Sequence, residues 1–148
     1  MDKTGFRPHH VAISVRDVPQ TLDFYGLFGF EEVVHWTAQD NSLQIIHLLK
    51  DGFCLEVFCY ATNGAAAPCE FELGNDLEQL GVKHFAIHVP DLRKTHAALM
   101  DLGHPVSDIR RGRTEVDYFF VRDPDGIWFE LVQEERNLDP SAPRRLTS

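Results

Sequence analysis

The chain has 148 residues, enough for one globular domain that buries about two-thirds of its unfolded surface without disulfides. Hydrophobic residues make up 43% and charged residues 25%, and no apolar run approaches the roughly 20 residues that cross a bilayer. The net charge of −9 argues against nucleic acid and anionic membranes as partners. The first segment lacks the apolar core of a signal peptide. We therefore expect a cytoplasmic protein that binds a small molecule.

The first elements predicted along the chain are a strand and a helix. Residues 10–16, HVAISVR, alternate in β-branched side chains, which is typical of a strand. Asp17 then suits the N-cap of a helix, and Gly29 suits the left-handed residue that ends it. The second half of the chain repeats this plan, with Asp91 as the cap and Gly103 as the terminator.

Three strands are predicted after each helix. Their ranges are residues 30–35, 43–49 and 53–59, and then 104–109, 116–122 and 127–133. The turn dipeptides Asp51-Gly52 and Asp125-Gly126 predict hairpins between the last two strands of each set. The sequence therefore predicts an α+β chain, residues 1–148, with βαβββ module one at about 8–60, a linker at about 61–80, module two at about 81–134, and a polar tail at 135–148 that frays.

The two modules are copies of each other at a shift of 74 residues, with no gap needed. His10 recurs as His84 at this shift. Glu56 recurs as Glu130, although glutamate is almost never fully buried without a partner and both lie in apolar strands. Two imidazoles and two carboxylates are a plausible ligand set for one divalent ion. The repeat therefore predicts a metal site, provided that the copies pack with the two pairs facing each other.

Six further residues are candidates for the wall of a substrate pocket: His88, Ser14, Phe58, Trp128, Tyr118 and Arg113. A pocket histidine without chemical duty, core aromatic residues and a solvated arginine loop are the competing interpretations of the same residues. The remaining histidines lack a repeated partner. His9 is predicted to point to the opposite strand face, at the surface, and structural roles are predicted for His35, His47, His96 and His104.

These residues resemble the vicinal oxygen chelate superfamily, and within it the glyoxalase I-like proteins. The similarity covers residues 8–133 and rests on HHVAISVRD, LDFYGLFGFE, LEVF, GVKHFAIHVPD and DPDGIWFELV. It implies the glyoxalase/bleomycin resistance/dihydroxybiphenyl dioxygenase fold, with two modules forming a U-shaped mixed sheet around a metal cavity, and a homodimer. The metal ligands that it implies are His10, Glu56, His84 and Glu130.

The resemblance also implies a lyase or isomerase with one divalent ion per site, nickel or zinc before cobalt, manganese or iron. Glu56 favours this branch, because extradiol dioxygenases of the superfamily have an iron site with two histidines, one carboxylate and no ligand at that position. The metal would stabilise an enolate while Glu130, and Glu56 from the opposite side, act as the general base between adjacent carbons.

The positions that hold glutathione in glyoxalase I carry other residues here, namely Ser14, Tyr60 and Leu80. We therefore expect a small substrate with adjacent oxygens that is not a standard glutathione conjugate. Two alternatives stay open. One is an iron-dependent extradiol-type dioxygenase, and the other is a drug-binding protein of the bleomycin-resistance type, against which the retention of all four ligands argues.

Overall fold

The computed structural model describes residues 6–70, 77–78 and 80–146. The chain divides into two compact units, residues 1–69 and 70–148. Each unit contains one four-stranded mixed sheet and one α-helix in the order βαβββ. The predicted α+β fold with two modules is confirmed.

Module one is a mixed sheet whose first and last strands are parallel neighbours. Its elements are β1 (His10–Ser14), α1 (Val18–Gly26), β2 (Glu31–Thr37), β3 (Leu43–Lys50), β4 (Phe53–Tyr60) and a 3-10 helix (Ala61–Ala65). The spatial order is β1-β4-β3-β2, with β1 parallel to β4 and the other pairs antiparallel. Alternate residues of β4, Leu55 and Val57, are buried with Tyr25 of α1, so one face of the sheet forms the core.

Module two repeats this topology with shorter outer strands. Its elements are β5 (Ala86–His88), α2 (Leu92–Asp101), β6 (Arg110–Arg111), β7 (Asp117–Arg122) and β8 (Trp128–Gln133). The spatial order is β5-β8-β7-β6, again with the first and last strands parallel. Phe129 and Leu131 of β8 are fully buried, as are Phe119 and Val121 of β7. The other face of β8 carries Glu130.

Both helices begin and end as predicted. The Asp17 and Asp91 carboxylates accept hydrogen bonds from the backbone N–H three residues later, at 2.8 and 2.9 Å. Gly29 and Gly103 have φ angles of +80° and +79° just after the helices. In each case the next N–H reaches back to a carbonyl in the last turn, at 3.3 and 3.0 Å. Such a helix end favours glycine, which adopts positive φ without a Cβ penalty.

The strand predicted at residues 104–109 is wrong. The structure has only a single bridge between Val106 and Val121 there, and β6 begins at Arg110. Ser107 explains the difference, because its hydroxyl, rather than a backbone carbonyl, accepts the hydrogen bond from the N–H of Phe120 at 2.9 Å. A side chain has replaced one rung of the backbone ladder at this point.

The two copies also need a gap, contrary to the uninterrupted shift of 74. Asp51 and Gly52 form a two-residue turn with φ angles of +48° and +81°, as in a type I′ hairpin. The second hairpin is closed by a hydrogen bond from the N–H of Asp123 to the carbonyl of Ile127, which leaves three residues in the turn. The extra residue shifts the register of β7 against β8 by one position. His47 pairs with Glu56, whereas Phe120, which lies 73 residues after His47, pairs with Glu130.

The described part of the tail, up to residue 146, has side-chain contacts with module two. Arg136 forms an ion pair with Glu134 and donates a hydrogen bond to the carbonyl of Thr114 at 2.6 Å. Arg144 pairs with Glu115. Both arginines therefore connect the tail to the loop between β6 and β7.

In the described part of the chain, no helix has the length and apolar character to span a membrane.

Candidate functional site

In module one, the predicted ligands His10 and Glu56 lie on the sheet face opposite the core. Ala12 of β1 is aligned with Glu56 of β4, which puts His10 one pleat earlier on the same face. Nε2 of His10 lies 3.4 Å from Oε2 of Glu56. The side chains are 42% and 21% exposed, so the carboxylate is the more enclosed of the two.

In module two, His84 and Glu130 form the same pair. Ala86 is aligned with Glu130, as Ala12 is with Glu56, and His84 lies just before β5. The carbonyl of Phe85 accepts the N–H of Glu130 at 3.0 Å, which keeps the chain beside β8 at this point. Nε2 of His84 lies 3.1 Å from Oε2 of Glu130, with side chains 28% and 16% exposed.

In each pair, the distance between the two donor atoms fits the binding of both to one metal ion. Two donor atoms that are each about 2.1 Å from one ion, at an angle of about 90° to 110°, lie about 3.0 to 3.4 Å apart. The observed separations are 3.4 and 3.1 Å, which equally suit a hydrogen-bonded ion pair. Among the residues described by the structure, no three histidine, cysteine or acidic side chains form a group that could hold a metal ion. Each pair therefore brings two possible donor atoms together within its own module.

His47 is a residue of this face that the sequence analysis missed. Its Nε2 lies 3.1 Å from Oε1 of Glu56, the carboxylate oxygen that does not face His10. The pairing of β3 with β4 across their hairpin could have identified His47 from the sequence. A two-residue turn at Asp51-Gly52 pairs Lys50 with Phe53, and counting outward from that pair places His47 opposite Glu56.

His9 is exposed, as predicted, but it does not point away from the site. Its Nδ1 lies 2.8 Å from Nδ1 of His10, and the two rings meet edge to face. The remaining histidines described here contact other groups. His35 lies 3.0 Å from Gln44, and Nε2 of His96 lies 2.9 Å from the carbonyl of Ser107.

The substrate-pocket candidates of module one share the Glu56 face. Ser14 is aligned with Phe58, two residues beyond Ala12 and Glu56 on their strands, so both side chains lie on the ligand face. Cys54 lies on the same face but is buried, and burial together with the negative charge of Glu56 raises the pKa of its thiol. The thiol is therefore a poor nucleophile at neutral pH.

In module two, the candidates divide between the ligand face and a turn. His88 is aligned with Val132, which in turn pairs with Tyr118, so His88 and Tyr118 share the Glu130 face. Arg113 lies in the exposed turn between β6 and β7. Arg110, three residues earlier, pairs with Tyr118 and belongs to the face by register.

Trp128 also belongs to this face, but its ring already has a cationic neighbour. The guanidinium carbon of Arg122 lies 4.8 Å from the centroid of the Trp128 ring, within cation–π range. The Nε of Arg122 donates to the carbonyl of Gly126 at 3.2 Å, which holds the guanidinium in position. One face of the indole is thus covered by protein.

Two βαβββ modules that repeat a histidine–glutamate pair define a class of protein by fold and by site. The chain belongs to the Glyoxalase/Bleomycin resistance protein/Dioxygenase superfamily, whose family model matches residues 7–131. The resemblance noted from the sequence is therefore confirmed at the level of the family.

Individual relatives support the same assignment. The chain is 24% identical over 149 residues to a lactoylglutathione lyase of Schizosaccharomyces pombe, with 90% of this chain covered, but it spans only 49% of that protein. A glyoxalase family protein from Enterococcus faecalis superposes with a TM-score of 0.69 and 26% identity, covering 86% of this chain and 97% of that one. The trypanothione-dependent glyoxalase I of Leishmania major has a TM-score of 0.68, 20% identity and 88% coverage of both chains, and it shows the fold alone.

Proposed function

We propose that this protein is a divalent-metal-dependent, glyoxalase I-like lyase or isomerase that acts on a small substrate with adjacent oxygens. The observation that carries the proposal is the repetition of one His–Glu pair at equivalent positions of two modules, with donor separations of 3.4 and 3.1 Å. The family membership and the lactoylglutathione lyase relative support this class of chemistry.

The residues that would hold the ion are His10, Glu56, His84 and Glu130, with nickel or zinc favoured. Two neutral imidazoles and two carboxylates balance the charge of a divalent ion, which suits a partly enclosed site. The proposal requires the two ligand faces to meet, either within one chain or between the chains of a homodimer. When bound, the ion supplies Lewis-acid stabilisation of negative charge on a substrate oxygen.

The proton would be moved by a carboxylate of the same set. We assign this role to Glu130, and to Glu56 for a substrate approached from the other side. The Glu130 side chain is only 16% exposed, so water competes little for its oxygens. General-base catalysis typically supplies about 10²- to 10⁴-fold, and enzymes generally reach 10⁶-fold or more, so base and ion must act together.

The substrate that we propose is not a standard glutathione conjugate. The positions of the glutathione clamp implied by the resemblance hold Ser14, Tyr60 and Leu80, which carry no charge. His88, Tyr118 and Arg110 lie on the Glu130 face by register and are available to contact the substrate instead. A hemithioacetal of another thiol offers the adjacent oxygens without requiring the glutathione clamp.

Metal analysis followed by a substrate screen tests the proposal. Protein purified without chelators should contain a divalent ion, and His10→Ala and His84→Ala should each reduce its content. His35→Ala changes a histidine of the same sheet that does not contact Glu56 and should retain the ion. Hemithioacetals of several thiols are then supplied to the metal-loaded protein. A wild-type protein that binds none of nickel, zinc, cobalt, manganese and iron would refute the proposal.

A further inference from the structure

Glu56 is held between two imidazoles, one on each side of its strand. Nε2 of His10, on β1, faces Oε2 at 3.4 Å, and Nε2 of His47, on β3, faces Oε1 at 3.1 Å. The His47 side chain is 30% exposed, so its ring is partly enclosed by the sheet face. Each oxygen of this carboxylate therefore has its own imidazole.

Within the described ranges of the chain, Glu130 has an imidazole on one side alone, that of His84. Its cross-strand neighbour on β7 is Phe120, which occupies the position that His47 has beside Glu56. A phenyl ring donates no hydrogen bond to a carboxylate oxygen. Phe120 instead contacts the ring of His84 edge to face, with centroids 4.9 Å apart. The two carboxylates thus have the same histidine partner but different cross-strand neighbours.

We infer that His47 is a positioning residue, which fixes the carboxylate of Glu56 so that only the oxygen facing His10 is presented to the ion. The inference rests on the proposed function, because it concerns the ligand set named there. Its consequence narrows the proposed roles: Glu56 stays a fixed ligand and leaves proton transfer to Glu130, which has no such hydrogen bond from β7 and can rotate.

The physical reason is the orientation of the carboxylate. A glutamate side chain has several rotatable bonds, and ordering it costs free energy when a metal binds. A hydrogen bond to the oxygen that does not ligate the metal removes most of that freedom beforehand. Such outer partners of metal ligands typically change metal affinity by about 10- to 100-fold when they are removed.

The test compares three variants by Co²⁺ titration of the metal-free protein. His47→Phe copies the residue that module two carries at this position, so the sheet should accept it. His47→Gln retains a donor to Glu56, and His35→Phe makes the same ring change at a site that does not contact Glu56. The readouts are the Co²⁺ dissociation constant and the visible absorption of the bound ion, which reports its coordination, with the melting temperature as a check on folding.

We expect His47→Phe to weaken Co²⁺ binding about 10- to 100-fold and to alter the absorption spectrum, with the melting temperature nearly unchanged. His47→Gln should recover most of the affinity, and His35→Phe should match the wild type. Equal affinity and an equal spectrum in His47→Phe would overturn the inference and leave the proposed function intact. A His47→Gln variant as weak as His47→Phe would also overturn it, in favour of His47 as a direct ligand. Failure of the wild type to bind any of nickel, zinc, cobalt, manganese and iron would overturn both.

Discussion

Glu130 lies in a strand whose adjacent residues are buried, and Nε2 of His84 lies 3.1 Å from its carboxylate. A carboxylate in such surroundings costs free energy unless another group compensates its charge. An imidazole does so only in part, since it carries a charge only when protonated. The partly compensated charge of Glu130 therefore favours a cation beside it, which supports the proposed metal ion.

Replacement of Glu130 by Gln is therefore expected to separate catalysis from folding. The amide has nearly the same size but is no longer a base, so turnover should fall by about 10²- to 10⁴-fold. Steady-state kinetics with the best hemithioacetal, together with thermal unfolding, would measure both effects. Glu32→Gln alters an exposed carboxylate on β2 and serves as the control. Full activity of Glu130→Gln would remove Glu130 from the mechanism.

Glu134, near the end of module two, provides a pH-dependent term in stability. Hydrogen bonds from the side chain and the backbone N–H of Arg136, together with its charge, lower the pKa of the Glu134 carboxyl from 4.5 to about 2. The contribution of this pair to the free energy of unfolding is therefore fully present above pH 4.5 and is lost as the pH falls towards 2.

In an Arg136→Gln variant, the pKa of Glu134 should rise towards its ordinary value. The free energy of unfolding of the variant should then fall less steeply than that of the wild type between pH 4.5 and pH 2. A side-chain carboxyl titration by NMR, combined with denaturant unfolding at several pH values, measures both quantities. An unchanged Glu134 pKa in the variant would show that Arg136 is not the cause.

At the scale of the element, the two helix ends allow a paired test of backbone strain. Gly103 follows α2 with a φ of +79°, and Gly26 is the last residue of α1 without positive φ. A Cβ at either position would meet no atom within 4 Å. Gly103→Ala should therefore destabilise the protein by roughly 1–2 kcal/mol through strain alone.

Gly26→Ala should stabilise the protein by about 0.4–1 kcal/mol, because alanine restricts the unfolded chain and fits the helix. Chemical denaturation of both variants measures the two changes in the free energy of unfolding. Equal effects of the same sign would show that the conformation of Gly103 does not determine its identity.

Elements encoded by neighbouring residues could be predicted from the sequence, and elements that depend on distant partners could not. The caps at Asp17 and Asp91 and the turn at Asp51-Gly52 use only local hydrogen bonds, and all are found as predicted. The strand predicted at 104–109 is not formed, because the hydroxyl of Ser107 bonds to the N–H of Phe120, 13 residues later in the chain. Alternation indicated the face of Glu56, but finding His47 required counting across the hairpin.

At the scale of the whole molecule, the ligand face of module one carries apolar side chains that are exposed to solvent. Val34, Trp36, Leu49 and Tyr60 are on the Glu56 face by register and are between 40% and 50% exposed. Several exposed apolar residues on one face of a sheet are typical of an interaction surface. The proposed homodimer would give this face a partner.

Light scattering coupled to size-exclusion chromatography should therefore give about twice the 16.9 kDa of one chain. Trp36→Glu places a charge within this apolar set and should shift the mass towards that of one chain, because burying an unpaired charge is costly. Met100→Glu changes a residue that is 56% exposed on α2 and should leave the mass unaltered. A wild-type mass of 16.9 kDa would contradict the dimer.

The single additional residue in the turn between β7 and β8 determines which side chain lies beside the acid of module two. It displaces β7 by one position but leaves β8 in register, so Phe120, and not Val121 at 74 residues after His47, lies opposite Glu130. A symmetric assembly of identical subunits cannot differ between its halves in this way, because every substitution occurs in both halves. Two copies within one chain, by contrast, can give equivalent carboxylates different cross-strand neighbours, as Glu56 and Glu130 have here.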